Sequence, residues 1–559
     1  MSVAECKNHD GVKCENCVLV RDLRWEVASR KSLHARALQR ESSWREKARE
    51  LEQRTRLQEV RIRELAQQHE ALKAKLALMH QQLFGSKTER TKDGAPTGDG
   101  ENKENSNAAG GAGGFCSGQR RNRGKQPGAK GHGRKPRTRL PSEEILHDLP
   151  EDAKCCPRCG KPFDPFPGTE DSDEIHWDVR FVRRVHQRKR YLPTCPCKAV
   201  AGIVTAPRHP KLIRKGMFSC GFWVEVLLNK YLHGMPLCRI IKTLAMEKLS
   251  VSPGTLTGSL KQIGELIQPL YAAILERCRA AAHWHMDETR WMVFAELAGK
   301  VGHRWWLWVA VTADTCVYLL DPTRSSAVPK NLLGAEAKGI ISADRYAAYK
   351  ALGENISVAY CWTHARRDFV KVRQGYTKLR SWADGWIARI AQLYRHNNER
   401  LKFESDSDAF ALADRSLRES IEQLRQTRDG ELAQSDLHRA KRKVLQSMRN
   451  HWQGLTIFVD HPQIPMDNNE AERRLRSPVI GRKNYYGSGS IWSGALSAYL
   501  FTLIQTLLSN NINPKQFLLD YFDACATNGG RTPDNLDPFL PWNLSEERKN
   551  KWQYKELPP

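Results

Sequence analysis

Apolar residues along this chain recur with two different periods, and the change from one to the other divides it. Residues 18 to 84 contain neither Pro nor Gly, and Ile62, Leu65, His69, Leu72, Leu76, Met79 and Leu83 follow a 3-4-3-4-3-4 rhythm. That is the a and d pattern of a coiled coil with only His69 polar. Residues 18–90 are therefore expected to form a helix that self-associates into a homodimer or higher oligomer. A second helical region spans 206–280. Phe222, Val224, Val226, Leu227 and Tyr231 mark one helix, and Leu237, Ile240, Ile241 and Leu244 another. Ser252 is then placed to cap a further helix that has Pro253 at its first position. Two short helices joined by a tight turn, the second starting with Thr255 and Thr257, resemble a helix-turn-helix.

At His283 the period drops to two. His283–Thr289, Arg304–Thr312 and Thr315–Asp321 have the aromatic and β-branched content of strands in a meander. A short helix is expected over 328–333. Lys338-Gly-Ile-Ile-Ser-Ala-Asp344 is an apolar run ending in Asp, a helix begins at Tyr346, and Ile356–Trp362 makes a fifth strand. Three antiparallel strands followed by alternating helix and parallel strand is the ribonuclease H-like pattern, which sets the first and fourth strands side by side. Residues 372–460 are helix-forming and basic, with Trp and Leu spaced for a small core, and read as a helical insertion. The apolar stretch Ile491–Leu508 is interrupted by Ser, Thr and Gln, so it reads as a buried helix and not a membrane span.

Composition adds a partner. The chain has 559 residues, with 89 Lys+Arg against 63 Asp+Glu, a formal charge of +26. Such an excess points to a polyanion, most often nucleic acid. The cations concentrate in residues 91–140, where Gly, Ala, Asn and Ser give way to Arg120, Arg121, Arg123, Lys125, Lys130, Arg134, Lys135, Arg137 and Arg139. Gly and Pro between them prevent a helix, so this is expected to be a flexible basic linker in nonspecific contact with DNA phosphates. No apolar secretory segment opens the chain. Fifteen cysteines without such a segment read as reduced thiols and metal ligands of a cytoplasmic protein.

The thiols cluster. Cys155-Cys-Pro-Arg-Cys-Gly160 is a zinc knuckle in which Cys156 and Cys159 form the first pair, and Cys195-Pro-Cys197 supplies a second. A structural four-cysteine zinc ribbon is expected over 141–205, with His176 or His186 as a substitute for one thiolate. Cys6, His9, Cys14 and Cys17 within residues 1–17 have the spacing of a further small zinc cluster.

The candidate chemistry lies in carboxylates. If the first and fourth strands are neighbours, Asp287 and Asp344 converge, and two close carboxylates call for a cation between them. A third ligand should come from Met466-Asp-Asn-Asn-Glu-Ala-Glu-Arg-Arg-Leu-Arg476, a helix that Asp467 can cap. Glu470 and Glu472 compete for that role and point in different directions. Asp287 competes likewise with Glu288, since strand neighbours face opposite sides.

An ordered set of motifs carries a resemblance. Gln82-Leu-Phe-Gly-Ser-Lys-Thr-Glu-Arg90, Gly131-His-Gly-Arg134, Lys230-Tyr-Leu-His-Gly-Met-Pro-Leu237, His285-Met-Asp-Glu-Thr289 and Asp344-Arg-Tyr-Ala-Ala-Tyr349 come first. Cys361-Trp-Thr-His-Ala-Arg-Arg367, Asp467-Asn-Asn-Glu-Ala-Glu-Arg473 and Gly481-Arg-Lys-Asn484 follow. Together they are similar to the landmarks of the large transposase of the insertion sequence 66 family, in that family's order. The resemblance implies a multidomain α/β protein. A leucine-zipper-like coiled coil, a zinc-binding domain and a helix-turn-helix precede a ribonuclease H-like DDE core over 281–510, and 511–559 is left as a C-terminal tail. It implies a catalytic triad of Asp287, Asp344 and Glu472 holding Mg²⁺ or Mn²⁺, with His364 and Arg367 acting near the site and Arg473 and Arg476 near phosphates. The implied activity is cleavage at the ends of a mobile element and joining of 3′ ends to target DNA, with small accessory transposition proteins as further partners. Two other readings of the same residues are a non-enzymatic zinc and helix-turn-helix regulator, and a nuclease that cuts without joining.

Overall fold

The computed structural model describes residues 15–84, 181–191 and 203–553, with a few positions between 148 and 162. The expected zinc ligands Cys156, Cys159, Cys195 and Cys197, most of the 1–17 cluster, and the linker cations Arg121, Arg123, Lys125, Lys130, Arg134 and Lys135 lie outside them. The described residues fall into two compact units, one holding 15–84 and 209–553, the other the residues between 148 and 208.

With no Gly or Pro to break it, α1 runs unbroken over Glu15–Phe84, about 105 Å at 1.5 Å per residue. Ion pairs such as Glu26–Arg30 and Glu41–Arg45 line its surface, each worth only a few tenths of a kcal/mol. Burial comes from one stretch, where Ala74 lies against Gly375 and Glu70 meets His438 Nε2 at 3.0 Å. The heptad residues Ile62, Leu65, Leu72, Leu76 and Met79 stay 49% to 70% exposed, so nothing among the described residues covers that face.

In the smaller unit, β1 (Arg190–Tyr191) pairs antiparallel with β2 (Val204–Thr205). The alternation through Phe181 and Val185 does not extend that strand backwards. Both side chains are exposed, and no residue among those described covers them.

The larger unit opens with α2 (Cys220–Leu227), which continues into one π-helical turn, Leu228–Leu232. Next come α3 (Leu237–Met246) and α4 (Pro253–Arg279). Ser252 Oγ caps α4 by accepting from Thr255 N at 3.1 Å, with Pro253 at the first position. The helix that follows this turn is not short. Leu256, Leu260, Ile263, Ile267, Leu270 and Ile274 form a buried stripe that carries α4 through Pro269 for 27 residues, while Pro253, Gly254 and Thr255 at its start are exposed.

The sheet is built from β3 (His283–Met292), β4 (Arg304–Val311), β5 (Cys316–Asp321), β6 (Gly339–Ala343) and β7 (Ile356–Tyr360), with α5 (Ala327–Leu333) and α6 (Ala347–Lys350) in its crossovers. Its order is β5-β4-β3-β6-β7. The first three strands are antiparallel, and β6 and β7 run parallel to β3. The first and fourth strands are thus neighbours, as the sequence pattern requires. Gly339 makes this pairing possible. At φ +148° a Cβ there would stand 2.1 Å from the Ala282 carbonyl, where Ile340 N–H bonds that same oxygen at 2.9 Å. Gly339→Ala is expected to cost about 2–4 kcal/mol, read by urea unfolding. A loss under about 1 kcal/mol would show that β6 can shift freely against β3.

A helical layer follows: α7 (Trp362–Gly375), α8 (Arg380–Arg400), α9 (Asp408–Leu432), α10 (Arg439–Asn450) and α11 (Trp452–Asp460). It has its own core, with Trp362, Phe369, Trp386, Leu393, Leu424 and Leu455 buried together, apart from the core around the sheet. The chain then returns to the sheet as α12 (Asn469–Tyr485) and α13 (Ile491–Ser509). Among the described residues α13 is the single helix long and apolar enough to cross a bilayer, and here it is packed inside the protein. Its interrupting threonines explain why. Thr506 Oγ1 accepts from Cys316 N at 3.0 Å and Thr502 Oγ1 from Tyr318 N at 2.8 Å, tying α13 to the edge strand β5. The segment from 511, expected as a tail, is folded into this core. α14 (Pro514–Thr527) and α15 (Glu546–Trp552) bury Phe517, Tyr521 and Trp552 against one another.

Candidate catalytic site

Alternation along β3 sorts its side chains. His285, Thr289 and Trp291 reach toward the segment 468–488, bonding Asn468, Arg482 and Ser488. Asp287 shares their parity. Glu288 turns to the other face, where its carboxylate is 1% exposed and accepts from Tyr349 Oη at 2.8 Å and Arg324 Nε at 2.8 Å. Arg324 is itself held over the Tyr346 ring at 3.7 Å and the Trp306 ring at 4.7 Å. Glu288 is therefore occupied by a buried ion pair, and Asp287 remains available.

Asp344 follows β6 directly. His285 pairs with Ser342 across the β3–β6 ladder. Asp287 and Asp344 each stand two positions beyond that last pair in the chain, Asp287 still within β3 and Asp344 just past the end of β6. Asp344 Oδ1 accepts from Tyr346 N at 2.9 Å, and Asp287 Oδ1 from Glu288 N at 2.8 Å. Arg345 turns away to Ser447 Oγ (2.9 Å), the His364 carbonyl (3.2 Å) and Asp368, joining the end of β6 to α7 and α10.

The two glutamates of α12 part company. Glu470 is taken up by Arg473 at 3.3 Å and Arg474 at 2.9 Å, whereas Glu472 Oε1 lies 3.5 Å from His364 Nε2. Asp467 caps the segment by accepting from Asn469 N at 3.1 Å. Arg473 and Arg476 are exposed on the same helix. His364 and Arg367, at the start of α7, are half-buried beside one another. Burial holds His364 below its usual range and Arg367 adds to this, while Glu472 and Asp344 push it up. Its Nδ1 is buried without a hydrogen-bond partner.

Electrostatics tie the acids together. Burial pushes Asp287 up to about 7, with Glu288, Asp344 and Glu472 each adding repulsion. Asp287, Asp344 and Glu472 offer the hard oxygen donors that Mg²⁺ or Mn²⁺ prefers, and a cation among them would relieve that repulsion. Among the described residues no three His, Cys, Asp or Glu side chains are drawn together closely enough to hold an ion.

One residue of the site escaped the sequence reading. Asn468, 1% exposed, links the start of α12 to β3 through His285 and the Met286 carbonyl. In sequence an Asn before a helix looks like a cap, and nothing there separates the two roles.

Uncharacterized protein y4jD of Sinorhizobium fredii is 25% identical over 448 residues, 76% of this chain and 84% of its own length. Uncharacterized protein y4hP of the same organism is 24% identical over 429 residues, 72% and 74% of the two chains. Residues 215–495, half of the chain, match the family described as Transposase IS66 family, and they run from before α2 into α13, so Asp287, Asp344, His364 and Glu472 all fall inside the match. The chain belongs to the IS66 family of transposases.

Proposed function

We propose that this transposase cleaves DNA at the ends of a mobile element and joins the freed 3′ ends to target DNA, using Asp287, Asp344 and Glu472 as the acidic triad of a ribonuclease H-like DDE core. The observation that carries the reading is the parallel pairing of β3 with β6, which sets the strand of Asp287 beside the strand that leads into Asp344, while Glu472 faces His364 at the start of α7. Carboxylates from the end of a second strand, Asp344, and from a helix much later in the chain, Glu472, both bear on the ionisation of Asp287. Mg²⁺ or Mn²⁺ held by these three groups would supply charge neutralisation at the phosphate and a more acidic nucleophile. The chain's own residues do the rest. His364 stands against Glu472 and orients it, Arg367 adds positive charge beside that pair, and Arg473 and Arg476 meet DNA phosphates from the exposed side of α12.

Around this core, the heptad face of α1 pairs protomers so that two element ends are held together. The linker cations contact double-stranded DNA, and α3 with the exposed start of α4 serves as the helix-turn-helix. Zinc held by Cys156, Cys159, Cys195 and Cys197 has a structural role. The protein works in the bacterial cytoplasm, on the nucleoid, with small accessory transposition proteins as further partners. The test is a joining reaction with a pre-cleaved end, a target duplex and Mg²⁺ or Mn²⁺. A covalent joined product is expected. DNA cutting without joining would make the protein a nuclease, and DNA binding with neither would make it a regulator.

A further inference from the structure

An asparagine at a helix N-cap ordinarily turns its side-chain oxygen back to the N–H groups of the first turn. Asn468 stands at that position before α12, with φ −110° and ψ 27°, and makes no such bond. Its side chain is turned to β3 instead. Nδ2 donates to the Met286 carbonyl at 2.7 Å, and Oδ1 lies 3.1 Å from His285 Nδ1. Its backbone N–H donates to Cys361 Sγ at 3.3 Å. A carbonyl can only accept, so the Met286 contact fixes which way the amide points. Oδ1 must then accept, and His285 carries its proton on Nδ1.

These partners are not scattered. Met286 precedes Asp287, and Cys361 directly precedes α7, which carries His364. Glu472 lies one helical turn beyond Asn468, and its N–H donates to the Asn468 carbonyl at 3.3 Å. One buried side chain and its peptide therefore connect the strand of the first carboxylate, the segment before the histidine and the helix of the last carboxylate. We infer that Asn468 is a positioning residue, a latch that sets the height of Glu472 against Asp287 and gives up helix capping to do so. The inference rests on the triad proposed above.

Serine separates latch from cap, because it caps helices as well as asparagine but cannot span both His285 and Met286. Full-length Asn468→Ser is expected to fold, at some cost in stability from the unpaired Met286 carbonyl, and to keep its DNA affinity within twofold of wild type. The single-turnover cleavage rate and the Mn²⁺ affinity measured by calorimetry should each fall about 10- to 100-fold. Asn468→Asp keeps the acceptor for His285 and loses the donor to Met286, and it should fall at least as far. A crystal structure of the serine variant should show Glu472 displaced from Asp287 by about 1 Å, enough to cost that much in rate. Wild-type rate and Mn²⁺ affinity with Glu472 unmoved would overturn the latch. If the wild-type protein binds DNA but neither cuts it nor binds Mn²⁺, the triad fails, and the displacement of Glu472 alone decides the inference. Should the serine variant not fold, the aspartate variant decides it by the same readouts.

Discussion

Replacing Asp287 with Asn is expected to end cleavage, a loss of about a thousandfold or more, and at the same time to make the metal-free protein more stable above neutral pH. The two effects share one cause. The Asp287 carboxyl titrates near 3.8 when exposed and is pushed up to about 7 in the fold by burial and by Glu288, Asp344 and Glu472. Between those values the folded chain keeps a proton that the unfolded chain has released. Stability therefore falls as pH rises from about 4 to 7, and above 7 the full penalty is present. Asparagine carries no such penalty. Its gain over wild type should be close to zero near pH 4 and largest above pH 7, a few kcal/mol at most at about 1.4 kcal/mol per pH unit of displacement. His283 acts in the opposite sense. Burial and His285 hold it down to about 4, so the stability it contributes is lost as pH falls from about 6.5 to 4. That contribution is common to both proteins and cancels in their difference. Thermal unfolding in chelator at pH 4.5, 6 and 8 measures the difference directly, and a gap that does not change with pH would show that Asp287 is not strained. DNA binding should survive the substitution, which separates loss of chemistry from loss of fold.

Much of this geometry was legible in the residues, and what was not has identifiable physical causes. The strands stood out because alternation and β-branched or aromatic content agree from His283 to Tyr360. Once β3 and β6 are neighbours, their ladder runs to His285 and Ser342, two positions before Asp287 and Asp344. The choice between Glu470 and Glu472 depends on partners far apart in sequence, since His364 comes to Glu472 from α7, across the whole helical layer, while Arg473 and Arg474 adjoin Glu470. The helix after Ser252, expected to be short, runs for 27 residues because its buried stripe continues on either side of Pro269. The segment after α13 reads as a tail because Pro and Gly divide it into short pieces, each marginal alone. Only contact among Phe517, Phe539 and Trp552 makes it a core. Asn468 went unremarked for the opposite reason. Its local setting matches a cap so well that only the strand beside it reveals the other use.

Arg400→Met is expected to destabilise the protein by about 3–5 kcal/mol, the largest loss from any single charge in the helical layer. Arg400 ends α8 and has no exposed surface. Its guanidinium donates to Asp414 at 2.6 Å, Asn397 Oδ1 at 2.8 Å, and the Phe458 and Val459 carbonyls at 2.8 Å each. The last two belong to the final turn of α11, where carbonyls have no partner within the helix, and a cation there also opposes the negative end of the helix dipole. Methionine fills the space but leaves those carbonyls buried and unpaired, at about 1–3 kcal/mol each. Asp414 is the lesser part of the loss, because Arg418 still pairs with it at 2.7 Å. Asp414→Asn should accordingly cost well under half as much as Arg400→Met. Arg400→Lys should recover little, since one ammonium cannot reproduce the planar fork that reaches four acceptors. The consequence extends to the site, because α11 leads through Ile464 and Met466 into Asn468 and α12, and the Met466 carbonyl accepts from Trp362 N at 2.9 Å. Urea unfolding followed by tryptophan fluorescence measures the loss, Trp386 and Trp452 being among the tryptophans that contribute from in or against this core. A loss below about 1 kcal/mol would mean that water reaches the end of α11 and replaces the guanidinium.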